Sequence, residues 1–302
     1  MSGRRVEWTE PFVFCPVCRQ MVSRLETGFH GRPNVACPNC GTLDRHRLTA
    51  LLVLAMIPTR PAGTPVLEIA PTTVLSDLVR DVSGSIYLTI DRFPETSLRK
   101  IDVKADVVSM PLASKSVGFV LCSHVLEHVP DDRAAAAEIA RVLHPQGSAL
   151  VITPRRRGQT TDEDPDATPE ERIRRFNQAD HVRYYGDDLE ERLESAGLRV
   201  ATYPYEKLLP RPLLDVIGVY NNASVWIVTT GRNPTEFVDQ TSLTRILARR
   251  MLTSRSTGAP DDLETRLQQT LDEANDWKGR YEWLESRPIV RWGRWMKNLL
   301  GR

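Results

Sequence analysis

Residues 117–154 read VGFVLCSHVLEHVPDDRAAAAEIARVLHPQGSALVITP, and this stretch decides the fold. Residues 117–122 form a short apolar run rich in β-branched and aromatic side chains, which predicts a buried strand. Asp131 and Asp132 then open a helical pattern over 131–143, with acids where the positive end of a helix favours them. His144-Pro145-Gln146-Gly147 reads as a turn, and 148–153 as a second buried strand.

The same alternation extends to both sides. Residues 66–70 and 86–90 are further strand-like runs, 74–81 carries a helix pattern, and 187–196 is a helix stopped by Gly197. Residues 198–203 and 223–230 supply two more strands. Alternating elements of this kind predict an α/β, mostly parallel, doubly wound sheet, in which ligands bind beyond the carboxyl ends of the strands where the strand order reverses. Acidic residues occupy those ends. Glu68 lies in the first strand, Asp91 follows the second, and Asp106 closes the 101–106 stretch before Met110-Pro111-Leu112. A carboxylate past the second strand is placed to accept from ribose hydroxyls, and one past the third from an exocyclic amine. Three acids at successive strand ends point to a nucleoside ligand.

Upstream, Cys15-Pro-Val-Cys18 and Cys37-Pro-Asn-Cys40-Gly41 are two C-x2-C knuckles with ribbon-type spacing. Four thiolates fill a tetrahedral site, so the metal expected on Cys15, Cys18, Cys37 and Cys40 is a structural Zn2+ with no open position. A segment this short has too little core to fold alone, and the metal supplies stability. Cys122, in the apolar strand, is expected to be a buried small hydrophobe. A helix with a charged first turn, Leu43-Asp44-Arg45-His46-Arg47-Leu48, follows the ribbon. His46 there is either a ligand or substrate contact, or a residue facing solvent or a seam. PTRPAGTP at 58–65 reads as a linker.

The chain has 302 residues, 41% hydrophobic and 26% charged, with a net charge of +1. These values exclude widespread disorder and a dedicated nucleic-acid binder. No apolar run reaches the length of a membrane span and no secretory signal follows Met1. The expected compartment is the cytoplasm, where paired cysteines bind metal rather than form disulfides.

VLEIAP at 66–71, YLTID at 87–91, ADVVSMPL at 105–112 and the 117–154 stretch together resemble the class I S-adenosylmethionine (SAM) dependent methyltransferases, over about residues 64–230. A closer resemblance is to bacterial members with an amino-terminal zinc ribbon, a charged LxRHRL helix and a downstream segment seen here from Glu170 to Gly186. The resemblance implies a Rossmann-like seven-stranded methyltransferase sheet with an amino-terminal zinc ribbon (1–60), a SAM domain (64–231) and a carboxyl-terminal helical extension (232–302). It also implies that Glu68 and Ala70 line the methionine side of SAM, Asp91 the ribose, Asp106 and Val107 the adenine, and Ser123 and His124 the sulfonium. The family's first loop is rich in glycine. Here it reads Glu68-Ile69-Ala70-Pro71-Thr72-Thr73, and a non-catalytic scaffold is the alternative if SAM is not bound.

Methyl transfer to a hydroxyl needs alignment and a base. Segment 155–186 is the expected lid or acceptor platform, its seven arginines facing seven acids, a balance that predicts internal pairing. His181 is the first base candidate and His124 the second, since histidine suits proton removal near neutrality; His181 serving only to order its loop is the alternative. Glu127 and His128 are expected in a structural or cofactor-loop role.

Beyond Gly231, Leu263, Leu267, Thr270, Ala274, Trp277, Tyr281 and Leu284 form imperfect heptads. Residues 287–302 carry five cations, no acid, and Trp292, Trp295, Met296, Leu299 and Leu300 at helical spacing. That pattern fits a helix docked on the body, on a glycosyltransferase partner, or on an anionic membrane at its inner face. The expected acceptor is a hydroxyl of a glycan or small molecule. An RNA methyltransferase gripping substrate with its ribbon is the alternative, weakened by the modest net +4 of residues 1–60.

Overall fold

The computed structural model describes residues 13–253 apart from 29–30, 85, 98–99 and 222. The heptads of 263–284 and the basic tail 287–302 lie outside the described residues.

In the ribbon, β1 (Val13–Cys15) and β2 (Gln20–Val22) pair antiparallel. Helix α1 (Asp44–Met56) follows, then β3 (Val66–Ile69), α2 (Ser76–Ser83), β4 (Tyr87–Asp91), β5 (Val103–Lys104) and β6 (Val117–Ser123). Next come α3 (Asp132–Val142), β7 (Leu143–Ile152), β8 (Asp162–Glu163), α4 (Pro169–Phe176), β9 (Arg183–Tyr184) and α5 (Leu189–Glu194). The described chain closes with β10 (Arg199–Pro204), α6 (Tyr205–Leu208), α7 (Arg211–Val216), β11 (Ser224–Thr229) and α8 (Gln240–Leu252).

Seven strands make one sheet in the order β10-β11-β7-β6-β3-β4-β5. The pairs from β5 through β7 are parallel, while β11 lies antiparallel to both β7 and β10. The order reverses between β3 and β6, so the crevice for a ligand opens at their carboxyl ends. The inserted antiparallel strand distinguishes this sheet from an all-parallel dinucleotide fold.

Both faces are buried, which explains the continuous apolar runs. Val66, Phe119, Leu121, Leu150, Ile152, Val225 and Ile227 point to one face, packed with Leu48, Leu51, Leu52 and Met56 of α1, Val79 of α2 and Leu243 and Leu247 of α8. Leu67, Val120, Cys122, Ala149, Val151, Trp226 and Val228 point to the other, under Ala135, Ala136 and Ile139 of α3 and Leu189 and Leu193 of α5. Each such fully buried leucine contributes about 1.5–3 kcal/mol. Cys122 is buried as expected, and burial pushes its thiol up.

Two local readings change. The 144–147 turn is the start of a long, bulged β7: Val117 pairs with Leu143 and Phe119 with Ser148. A Cβ on Gly147 would stand 2.6 Å from the Gly118 carbonyl oxygen, so glycine is what lets the two backbones pass this closely. The 58–65 segment is pinned, because the Arg60 guanidinium donates to the carbonyls of Ile57, Thr64 and Ser83 at 2.8–3.1 Å. Since α1 shares its core with the sheet, the ribbon and the sheet meet across packed side chains.

Candidate active site and four-cysteine cluster

The two knuckles are near-copies. Arg19 N–H donates to the Cys15 carbonyl and Gly41 N–H to the Cys37 carbonyl, each at 2.8 Å, and both residues take left-handed backbone, φ 59° and 71°. Gly41 does so without strain, whereas Arg19 pays a steric cost. The knuckles bring Cys15 Sγ to 3.6 Å from Cys40 Sγ and Cys18 Sγ to 3.8 Å from Cys37 Sγ. A tetrahedron with Zn–S of about 2.3 Å has edges of about 3.8 Å, so the four thiols fit zinc and are too far apart for disulfides. Thr42 Oγ1 lies 3.1 Å from Cys15 Sγ and 3.2 Å from Cys40 Sγ, where its hydroxyl can donate to a thiolate. Hydrogen bonds with Cys18 and Cys37 pull the Cys15 thiol down to about 6.

Arg47, fully buried on α1, ties this ribbon to the sheet. Its guanidinium donates to the carbonyls of Val35 at 2.9 Å, Thr42 at 2.7 Å, Ile217 at 2.5 Å and Gly218 at 2.8 Å. Asp44, also buried, accepts from Arg32 at 2.8 Å and Asn221 at 2.6 Å. His46 closes the start of α1, its Nδ1 accepting from Leu43 N–H at 3.2 Å. Burial, then the charges of Arg45 and His124, hold His46 down to about 3, so it is neutral.

Between ribbon and sheet lies a cavity of about 1110 Å3. It is lined by His46, by Thr72 and Thr73 after β3, by His124, Glu127 and His128 after β6, by Thr153 after β7, and by His181. Of the sequence-selected residues, His124 and His181 meet here, whereas Glu68, Ala70, Asp91, Asp106, Val107 and Ser123 do not line it. Asp91 ends β4, its Oδ1 accepting from Phe93 N–H at 2.8 Å, and its carbonyl accepts from Ala105 N–H at 3.1 Å, which brings Asp106 alongside. Asp106 accepts from Val108 N–H at 3.2 Å and faces Arg92 at 3.3 Å. Val107 is buried beside them.

The loop after β3 is shaped by Glu68, which is buried and accepts from the Tyr87 hydroxyl and from Thr72 N–H at 3.4 Å. Burial and then the Glu68 charge raise the Tyr87 hydroxyl. Ala70 stands at φ 49°, the left-handed conformation that a glycine would hold freely. Here the chain pays roughly 1–2 kcal/mol for it. Thr72 Oγ1 is buried with no hydrogen-bond partner, a polar atom placed where a ligand at the switch point would meet it. This orphaned hydroxyl and the two strand-end acids fit the methionine and nucleoside parts of SAM.

His124 is also left-handed, φ 56°, strain of the kind stored at functional sites. Its Nδ1 lies 2.9 Å from Glu127 Oε1, and Glu127 Oε2 accepts from Thr153 Oγ1 at 2.9 Å. Glu127 is fully buried. Burial alone would push its carboxyl up, but His124, and then His128, hold it below the usual carboxylate range. An ionised carboxylate only accepts, so His124 Nδ1 is the donor of this pair and Nε2 is the ring nitrogen left for the cavity. His181 is 2% exposed; its Nδ1 donates to the Phe176 carbonyl at 3.1 Å, and burial holds its pKa below the ordinary value. Segment 155–186 pairs internally, Arg175 with Asp162 and Asp164 and Arg183 with Glu163, and reaches outward to Asp132, Asp187 and Glu190. Sequence reasoning missed the ties of Glu127, Arg47 and Asp44, because only burial distinguishes them from surface charges.

The family model described as "Methyltransferase domain" matches residues 83–151. No curated protein matches the chain. Among solved structures it is similar to the complex between the Haloferax volcanii Trm112 methyltransferase activator and a methyltransferase, at 18% identity over 63% of this chain and 92% of that one, TM-score 0.43. It is similar to a SAM-dependent methyltransferase from Archaeoglobus fulgidus at 15% identity over 61% and 93%, TM-score 0.40. It is also similar to the [4+2]-cyclase SpnF at 15% identity over 78% and 76%, TM-score 0.40. The matched segment spans α3 and most of β4 to β7, and the seven-stranded mixed sheet, with its strand order and inserted antiparallel strand, has the methyltransferase Rossmann-like fold.

Proposed function

We propose that this chain transfers the methyl group of SAM to a hydroxyl of a glycan or small molecule seated in the cavity. The observation that carries the reading is the His124–Glu127 pair at the carboxyl end of β6, strained in backbone, facing that cavity at the sheet's switch point. SAM supplies the electrophilic methyl group. With SAM bound, His124 Nε2 would take the proton that the acceptor hydroxyl loses as it is methylated. Glu127 fixes the imidazole through Nδ1 and stabilises the imidazolium that forms. His181 shares the cavity, but its burial and its bond to Phe176 favour a holding role over proton transfer.

Glu68 and Ala70 are assigned to the methionine side of SAM, Asp91 to the ribose, Asp106 and Val107 to the adenine, and Ser123 with His124 to the sulfonium. Cys15, Cys18, Cys37 and Cys40 are assigned a structural zinc, in keeping with their 3.6 and 3.8 Å separations. The division into 1–60, 64–231 and 232–302 is retained as the working domain map. None of the described helices is long and apolar enough to cross a membrane. A glycosyltransferase or anionic-membrane partner for residues 287–302 rests on that segment's sequence, and flotation of the full chain with anionic vesicles tests it.

The test of function uses tritiated-methyl SAM with a bacterial extract separated into small molecules, glycans and RNA. Label is expected in a glycan or small-molecule fraction, and lost by about 10²–10⁴-fold in a folded His124→Ala variant assayed at saturating SAM. Label confined to RNA would replace the acceptor reading, and unchanged turnover would remove His124 as the base.

A further inference from the structure

Glu127, His128 and His181 each offer a ligand atom, and these atoms all lie within 4.8 Å of one another. We infer that they form a second metal site: a divalent first-row transition ion held by two imidazoles and one carboxylate, with open coordination positions facing the acceptor cavity. Two neutral imidazoles and one carboxylate on one side of an ion are the donor set that leaves positions for exogenous oxygen ligands.

The geometry of the surrounding bonds is what turns three neighbours into a site. Histidine ligates through a bare nitrogen, and the other ring nitrogen must be tied to an acceptor to fix the tautomer. His181 Nδ1 donates to the Phe176 carbonyl at 3.1 Å. His128 Nδ1 stands 3.2 Å from Asp180 Oδ2. With Nδ1 of each ring tied to an oxygen acceptor, Nε2 is the nitrogen left to ligate. The rings meet edge to face, centroids 4.6 Å apart at 85°. Glu127 is the third ligand, and its two oxygens already accept from His124 and Thr153. A carboxylate has lone pairs left after two such bonds, and a ligating carboxylate is itself commonly held in this way. An ion at the centre of the three atoms would stand no more than about 2.8 Å from each, so contractions of under about 1 Å give ordinary bonds near 2.1 Å.

The framework holding the ligands is stiff. Val182 N–H donates to the Glu127 carbonyl at 2.9 Å, fastening the His181 loop to the Glu127 turn. Buried Arg183 donates to the carbonyls of Leu126 at 2.8 Å, Pro130 at 2.8 Å and Val129. All three ligand residues line the cavity, so the open positions face the space assigned to the acceptor. On the methyl-transfer reading, on which this role depends, the ion would bind the acceptor hydroxyl and lower its pKa while His124 takes the proton. Metal binding itself does not depend on that reading.

The test titrates Co2+ into the full chain after dialysis against a weak chelator, which leaves thiolate-bound zinc in place. The expected result is one equivalent of Co2+ with weak visible bands and no sulfur-to-cobalt charge transfer, its affinity falling at least tenfold in His128→Ala and in Glu127→Gln. Circular dichroism and SAM titration of each variant separate loss of the site from loss of fold. Cobalt that shows only thiolate bands, or an affinity for that equivalent unmoved in both folded variants, would overturn the site. SAM binding without Co2+ binding sinks the metal proposal alone, whereas Co2+ binding without SAM binding sinks the methyl-transfer reading alone.

Discussion

Replacing Arg47 with methionine keeps an unbranched apolar stem and removes a guanidinium that donates to four carbonyls. The Thr42 carbonyl retains a second donor, the N–H of Cys37 at 2.9 Å, so the cost falls mainly on Val35, Ile217 and Gly218. At about 1–3 kcal/mol for each buried acceptor left unpaired, the gross loss is roughly 3–9 kcal/mol. The guanidinium no longer has to be desolvated, which returns several kcal/mol, and a net destabilisation of about 3–5 kcal/mol remains. For a chain of this size that lowers the melting temperature by roughly 5–8 °C. Differential scanning calorimetry gives the shift, and a chromogenic chelator gives the rate of zinc release, which is expected to rise because two of the four carbonyls belong to the ribbon. Arg47→Lys, with fewer donors, is expected to fall between. A melting temperature within about 2 °C of wild type, with zinc release unchanged, would refute the view that this arginine joins ribbon to sheet.

Ala70→Gly is expected to stabilise the protein by up to about 1 kcal/mol, read as a higher urea midpoint, because it relieves the φ of 49°; a lower midpoint would show that the loop is not strained. Asp91→Ala is expected to weaken SAM binding about tenfold in calorimetry with the melting temperature unchanged, having lost hydrogen bonds of about 0.5–1.5 kcal/mol each. His46 binds its proton at about 3 in the folded chain and near 6.5 when unfolded. Between those values the unfolded state holds more protons, so stability falls as pH drops from about 6.5 towards 3, by at most about 5 kcal/mol. His46→Gln should flatten the urea midpoint's dependence on pH over that window; an identical slope would exclude His46 as a source.

Much of this was legible in the chain because it depends on spacing. The two C-x2-C knuckles meet in a near-tetrahedral set, and the strands at 66–70, 86–90 and 117–122 appear within a residue or two of their expected bounds. The 144–147 segment escaped because Pro and Gly mark turns and bulged strand starts alike, and only the approach of Gly118 separates them. The site itself was half visible. His124 and His181 are far apart in sequence and share one cavity, yet nothing in LEH says that Glu127 is buried with a bond on each oxygen. Burial and long-range partners of this kind arise from the packing of β6, β7 and the 176–183 loop. No local pattern encodes them.

The central claim, that the crevice at β3, β4 and β6 binds SAM, is tested most directly by calorimetric titration of the full chain with SAM and with S-adenosylhomocysteine. Saturable binding of both, one per chain and weakened in Asp91→Ala, is the expected result. A zinc-loaded, folded chain that binds neither compound would contradict it.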